Sequence, residues 1–333
     1  MDVHKIRQSN IELCRIASIL LVMLVHTVGR LFDAEVSFGV DLLKAFSIIG
    51  VNVFILITGY FSATPKKTSL LNLAFICFFW MIIKVAVRNC LGEDVGYKDY
   101  FFITSSNWFI ASYIGLLFLA PVLNSFCNSA SKKTLWMGGA FLVLIEVWFD
   151  LLPPYPKILL GTQYGYSVFS FMIIYLLARA IRLYGLPKVF KILSPFIYVG
   201  CSFALGVFAF FCQKTGHGDA LKIVFAYSNP VVIISSISFF IMFERMSFHS
   251  DIINHISKST LACLLGHTSI VFFYTKQFKY LYDHYSGYEV AGFWTMAIVI
   301  VFLTSIIIDQ LRLLFWKPLN AWLITHIKNN NLF

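Results

Sequence analysis

Charge is scarce in this chain of 333 residues. Only 13% of the residues are charged, and Asp and Glu together number 16. A soluble globular domain averages about 25% charged residues, so a water-facing surface of ordinary composition is excluded. Strict apolar–polar alternation is also missing, which argues against a membrane β-barrel. The seven cysteines, Cys14, Cys77, Cys90, Cys127, Cys201, Cys212 and Cys263, form no C-x-x-C pair and no metal-ligand spacing. They read as small buried hydrophobes, and no metal site is expected. There is no G-x-S-x-G, no P-loop and no H-E-x-x-H, so a serine-nucleophile, nucleoside-triphosphatase or zinc-hydrolase mechanism has no support. No internal repeat, low-complexity tract or linker is visible.

What the chain has in abundance is apolar length. Hydrophobic residues make up 59%, including 35 Phe and 7 Trp. Runs of about 20 apolar residues match the hydrocarbon thickness of a bilayer, and only helices and closed barrels satisfy their backbone there. The expected fold is therefore all-α: a polytopic membrane protein of about ten transmembrane helices. The candidate spans fall near 11–30, 42–62, 70–90, 107–126, 134–152, 165–183, 194–213, 222–244, 258–276 and 291–314. Connections under about twenty residues leave no room for a soluble extramembrane domain, so 1–333 reads as a single transmembrane domain. Basic residues precede the first apolar run, as in a signal peptide, but no small-x-small cleavage site follows. That run reads as a retained helix.

The net charge of +10 is spread over short loops, which fits the positive-inside rule and not a nucleic-acid-binding face. Lys5 and Arg7 lie at the N-terminus. Alternate connections then carry Lys66 and Lys67, Lys132 and Lys133, Arg179, Arg182, Lys188 and Lys191, and Arg245 and Lys258. The C-terminal tail adds Arg312, Lys317 and Lys328. The intervening connections are acidic or mixed, with Asp33, Glu35 and Asp41, then Glu93, Asp94, Lys98 and Asp99, then Asp150 and Lys157, then Lys214, Asp219 and Lys222, and last Lys276, Lys279, Asp283 and Glu289. This alternation predicts that both termini are cytoplasmic, in a multi-pass protein of the plasma membrane.

Polar residues inside such helices are costly and mark candidate sites. Arg15 and His26 are eleven positions apart in the first span. At about 100° per residue they share one helix face, and at about 1.5 Å per residue they are about 16 Å apart along the axis. Arg15, near the expected cytoplasmic surface, reads either as an interfacial anchor or as a planar fork for phosphate. Glu12 stands one turn before it and is placed to pair with it. His26 reads as a satisfied core histidine or as a general base. Asn52 and Thr58 are polar in the second span, where Gly59 permits close helix approach. Asn107-Trp108 to Tyr113 opens the fourth span. There Trp108 is either an interfacial belt residue or a platform for a sugar ring. Glu146 and Asp150 lie at the far end of the fifth span, where a carboxylate can hold a sugar hydroxyl or a basic partner. Asn229-Pro230 breaks the eighth span, and His267 is a second imidazole in the ninth.

The run Asn10-Ile-Glu-Leu-Cys-Arg15 leading to His26 resembles the R-x10-H signature in the first helix of the integral membrane acyltransferases of acyltransferase family 3. Phe54 to Phe61, Trp108 with Tyr113 and Pro121, Tyr227-Ser-Asn-Pro230, and Ser257-Lys-Ser-Thr260 leading to His267 are similar to the family in order and spacing. The resemblance covers nearly the whole chain and is to the stand-alone kind that modifies polysaccharide or O-antigen. It implies ten core helices in the bacterial inner membrane and an acyl-CoA donor, most simply acetyl-CoA, with no tightly bound cofactor. It also implies transfer to a hydroxyl of a cell-surface glycan or its lipid-linked precursor. In that scheme His26 is the general base and Arg15 binds the donor. Glu12, Asn52, Trp108, Tyr113, Glu146 and His267 are candidate substrate contacts. The competing reading is a transporter or flippase for a glycan or lipid precursor, which also uses buried polar groups and broken helices.

The topology is directly testable. In a cysteine-depleted background, single cysteines at 66 and 132 should label only from the cytoplasmic side. External labelling at 66 overturns the count of spans, because one missed span reverses every later loop.

Overall fold

A computed structural model describes residues 7–32, 36–100, 107–152, 163–268, 280, 284–285 and 288–326. The charged residues Lys5, Asp33, Glu35, Lys157, Lys276, Lys279, Asp283 and Lys328 lie outside these residues, as does the second half of the ninth expected span. The described chain is almost entirely helical, with no strand. Two compact units divide it. The first comprises Met1–Val28, Phe32–Ala63 and Trp108–Ser257, the second Gly29–Leu31, Thr64–Asn107 and Lys258–Phe333.

The helices are α1 (Ser9–Phe32), α2 (Phe38–Ser47), α3 (Gly50–Tyr60), α4 (Lys67–Cys90), α5 (Trp108–Ser129), α6 (Lys132–Asp150), α7 (Val168–Tyr184) and α8 (Lys188–Lys214). They continue with the short α9 (Leu221–Val224), α10 (Pro230–Glu244), α11 (Asp251–Ile256), α12 (260–268 as far as described) and α13 (Tyr288–His326). Among the described residues, six stretches are long and apolar enough to cross a membrane: Ser9–Thr27, Phe38–Tyr60, Lys67–Cys90, Trp108–Ser129, Lys188–Lys214 and Gly292–His326. Helices occupy three more of the expected positions, each shorter or more polar, and of the ninth expected span only 258–268 is described. α6 carries Lys132, Lys133, Glu146 and Asp150, while α7 has 17 residues and α10 has 15.

Three expected boundaries move for local reasons. The second span comprises α2 and α3, joined through Ile48 and Ile49 in helical φ/ψ, and just before the junction the Ser47 hydroxyl donates back to the carbonyls of Leu43 and Lys44. The eighth span begins properly at Pro230. Asn229 Oδ1 accepts from Val231 N at 2.9 Å, while its amide donates to the carbonyls of Ile223 and Val224. Asn caps the new helix and proline opens it, where no N–H partner is needed. The last helix runs through Pro318 to His326, well past the expected end at 314.

In the first unit α3 is the central post. Nine of its residues are buried, and α7 and α10 pack against it. A helix that is apolar all round belongs inside a bundle. Lipid is as apolar as leucine, so close backbone approach has to do what the hydrophobic effect does in water. Glycine supplies that approach. A Cβ on Gly50 would stand 2.7 Å from Ser18 O in α1, and one on Gly59 would stand 2.7 Å from Tyr175 O in α7. Hydrogen bonds fix the register: Tyr175 donates to Asn124 Oδ1 at 2.7 Å, and Asn124 donates to Ala63 O at 3.0 Å. Arg179, which the sequence places among loop cations, is buried and donates to Asn128 Oδ1.

In the second unit α4 and α13 pack together around a buried polar network. Arg312 Nε is 2.6 Å from Asp309 Oδ1, with both side chains almost wholly buried. Asp309 Oδ2 accepts from Ser259 at 2.7 Å, and Arg312 donates to Asn72 Oδ1 at 3.1 Å. Arg312 is thus an internal partner and not a cation of the C-terminal tail. At the other end of α4, burial raises the Asp99 carboxyl. Hydrogen bonds from Lys84 and the Gly96 N–H, with the charges of Lys84 and Arg88, outweigh this and hold it below the ordinary range.

The α3–α7 contact predicts a sharp size limit. Gly59→Ala should destabilise the protein in detergent by about 1–3 kcal/mol, the usual cost of overpacking. Gly138→Ala on α6, whose added Cβ meets nothing within 4 Å, should be neutral or slightly stabilising. Thermal unfolding midpoints of the two variants are the check, and equal midpoints refute the close-contact account.

Candidate active site

α1 is unbroken over Ser9–Phe32, so the helical rise puts Arg15 and His26 about 16 Å apart on one face. Four hydrogen bonds fix its first turn. Ser9 donates to Asn254 Oδ1 at 3.1 Å, Ser250 N donates to Ser9 Oγ at 2.9 Å, and Asn10 donates to the carbonyls of Phe243 and Glu244. The Ser9 end of α1 is thus tied to the end of α10 and the start of α11.

Glu12 is buried between two guanidinium groups. Arg7 is 3.7 Å from its Oε1 and Arg15 is 3.3 Å from its Oε2. The Arg15 contact is an ion pair without hydrogen-bond alignment. Two cations on one carboxylate leave the cluster one positive charge in excess. Arg15 is partly open, at 28% side-chain exposure, so it can meet an anion while Glu12 orients it. A guanidinium is planar and presents several donors, which suits a phosphate.

His26 is half-buried, and its Nδ1 lies 2.9 Å from Val22 O. A carbonyl oxygen only accepts, so in the neutral ring Nδ1 carries the proton and Nε2 holds the lone pair. The helix thereby selects a tautomer, with the proton on the nitrogen nearer the backbone. Val22 packs at Gly50, where α3 begins. His26, one turn beyond, therefore belongs to the end of the first unit where Asn52 sits. Asn52 is buried and donates to Tyr227 O at 3.0 Å, so its amide positions Tyr227.

Tyr227 belongs to an aromatic cluster built around Trp108. The Trp108 ring centroid lies 4.4 Å from Tyr166, 5.7 Å from Tyr227 and 5.9 Å from Phe171. Tyr113 stacks on Phe109 at 5.7 Å with planes 10° apart, and Phe109 meets Phe171. Tyr166 is 40% exposed and Trp108 is half-buried, so both offer ring surface. The turn before Tyr166 is left-handed at Gln163, Tyr164 and Gly165. Gly165 is required there, since a Cβ would stand 2.4 Å from Tyr227 Cβ. Tyr227 N closes the turn by donating to Tyr164 O at 3.0 Å.

Glu146 and Asp150 brace the same end. Glu146 is buried and accepts from Ser170, and Asp150 Oδ2 accepts from Ser228 at 2.9 Å. Glu146 thus finds its partner on α7. His267 lies in the second unit, buried, with Nδ1 3.2 Å from Cys263 O, beside Gly266 packed against Trp80 and Ser305. The structure brings Arg15 and Glu12 into contact. It also gathers Trp108, the Phe109–Tyr113 stack and Tyr227, which Asn52 holds, at one end of the first unit. Tyr166 escaped the sequence reading. Its only local signal is the Gly165 turn, and its partner Tyr227 is sixty-one residues away. Among the described residues no cluster of His, Cys, Asp and Glu fits a metal ion.

Neither the curated proteins nor the solved structures contain a match to this chain. Residues 8–309, however, match the family model described as an acyltransferase domain, from the start of α1 to Asp309 in α13. That span contains every residue of the site above except Arg7, and with it the chain belongs to acyltransferase family 3.

Proposed function

We propose that this membrane acyltransferase moves an acyl group, most simply acetyl, from acyl-CoA to a hydroxyl of a cell-surface glycan or its lipid-linked precursor. The observation that carries the reading is the continuous α1 inside an acyltransferase domain, with a half-open arginine and a tautomer-fixed histidine on one face. The proposed setting is the bacterial inner membrane, with the Ser9 end of α1 facing the cytoplasm.

Arg15 holds a phosphate of the donor, oriented by Glu12. The thioester reaches along α1 to His26. As the acceptor hydroxyl oxygen attacks the acyl carbon, His26 Nε2 takes its proton. The new C–O ester bond forms, the C–S bond breaks, and the proton passes to the departing thiolate. The acceptor enters at the aromatic end, where Trp108 stacks on a pyranose and its indole N–H meets a hydroxyl. The same polar residues suit a transporter, but transport requires no acyl donor.

Membranes carrying the protein, given radiolabelled acetyl-CoA, should label their glycan fraction. His26→Ala should lower labelling by about 10²-fold or more, the usual worth of a general base, with the protein still in the membrane. Near-normal labelling moves the chemistry elsewhere, with His267 the first candidate. Arg15→Lys should raise the KM for acetyl-CoA, because an ammonium does not reproduce a bidentate contact. If only the amount of inserted protein falls, Arg15 is an anchor. Glycan crossing the membrane with no label incorporated supports the transporter.

The aromatic end has its own test. Trp108→Ala should raise the apparent acceptor KM and leave donor binding intact, the kinetic form of lost uniform binding, and Trp108→Phe should retain part of the function. Activity per folded molecule is the measurement, and an unchanged KM removes Trp108 from the acceptor site.

A further inference from the structure

The short segment between α9 and α10 is anchored on several sides. Asn52 of α3 donates to Tyr227 O at 3.0 Å, and Tyr227 N donates to Tyr164 O at 3.0 Å, so both backbone polar groups of Tyr227 are occupied. Its neighbour Ser228 donates to Asp150 Oδ2 of α6 at 2.9 Å. Asn229, next in line, caps α10. Two helices and a neighbouring turn therefore hold Tyr227 still.

That neighbouring turn is strained. Gln163 and Tyr164 take φ of 46° and 60°. Left-handed backbone is costly for a residue with a Cβ, and it persists where the surroundings over-determine it, often at ligand clamps. The strained turn delivers Tyr166. Its ring centroid lies 4.4 Å from that of Trp108 and 5.0 Å from that of Tyr227. With Trp108 and Tyr227 at 5.7 Å, the three rings touch pairwise.

The hydroxyls of Tyr166 and Tyr227 are hydrogen-bonded to one another. Tyr227 is buried, at 5% exposure, whereas Tyr166 is open at 40%. A buried hydroxyl has to place its proton on an acceptor, and the Tyr166 oxygen is the one beside it. Tyr227 is therefore the donor. The proton of Tyr166 is left to point outward, and among the described residues none accepts it. A hydroxyl that accepts one hydrogen bond becomes a stronger donor for the next. The open face of the aromatic cluster thus carries a fixed, polarised O–H beside two ring surfaces.

A tyrosine that only marks the membrane interface needs none of this, since its hydroxyl can turn freely toward water or headgroups. Here the ring is clasped, its oxygen is engaged and its proton is aimed. A flat apolar face with one oriented donor at its edge suits a pyranose, whose C–H face stacks while its oxygens accept.

We propose that Tyr166 is a second acceptor-binding residue, stacking beside Trp108 and donating its hydroxyl to a sugar oxygen, and that Tyr227 is a positioning residue acting through it. The role of that sugar in the reaction rests on the acyl-transfer reading above. The contact itself requires only the sugar.

The test gives the full-length protein, in nanodiscs, labelled acetyl-CoA and the membrane glycan fraction after chemical de-O-acetylation. Tyr166→Phe keeps the ring and should raise the acceptor KM about three- to tenfold, the usual worth of one hydrogen bond. The KM for acetyl-CoA should stay where it is. Tyr227→Phe should move the acceptor KM in the same direction by less. Because Tyr227 works through the Tyr166 hydroxyl, the double variant should be no worse than Tyr166→Phe alone. All rates are taken per folded molecule. Effects that multiply in the double variant overturn the positioning role of Tyr227. Label transfer with an unchanged acceptor KM in Tyr166→Phe overturns the site and leaves acyl transfer standing. Calorimetry with the same glycan and no donor covers the converse. Binding that weakens in Tyr166→Phe, in a protein that transfers no label, keeps the site and rejects acyl transfer. Equal glycan binding by wild type and Tyr166→Phe overturns the proposal.

Discussion

The first unit depends on how closely other helices come to α3. Gly50 lets α1 reach its beginning, and Gly59 lets α7 reach its end. In lipid such contact replaces the hydrophobic drive that would hold a soluble core together. It also sets the site. Because α1 meets α3 at Ser18 and Val22, His26 lies toward the Asn52 end, while the Arg7–Glu12 cluster stays toward the Tyr60 end. One short apolar helix thereby keeps the Arg7–Glu12–Arg15 cluster and the aromatic cluster apart.

Both ends of α3 also carry the polar residues that organise their surroundings. Asn52 holds the backbone of Tyr227, which closes the left-handed turn bearing Tyr166 and packs near Trp108. Tyr60 bridges Arg182 and Glu244. Each is a single buried side chain with a long-range partner, and in a low-dielectric interior such bonds are costly to leave unmade. The chemistry proposed for the two ends is different, yet the framework beneath them is one helix of 11 residues.

Much of this was legible in the sequence. The helical membrane class follows from apolar run length, and the shared face of Arg15 and His26 from a spacing of eleven. The Asn229-Pro230 break follows from proline's missing N–H. The Glu12–Arg15 pair follows from their i, i+3 positions. What the sequence did not carry were relations between distant segments. Nothing local marks Tyr60 and Arg182 as partners, or Trp108 and Tyr166. Counting loop cations also misassigned Arg179 and Arg312. A basic residue near a helix end looks the same in one dimension whether it snorkels to the surface or turns inward to an acceptor.

The Asp309–Arg312 pair bears on how the chain enters the bilayer. The two residues are one turn apart on the same helix, so their contact forms when α13 itself coils and requires no other helix to have arrived. A lone Asp or Arg at the bilayer centre opposes insertion by about 2.5–3.5 kcal/mol on translocon scales. Paired within one turn, they present the translocon with a neutral, internally bonded patch. Ser259, in the turn before α12, and Asn72 of α4 complete the network. The last helix thus carries its own charge compensation, and the contacts from neighbouring segments add to a pair that α13 forms by itself.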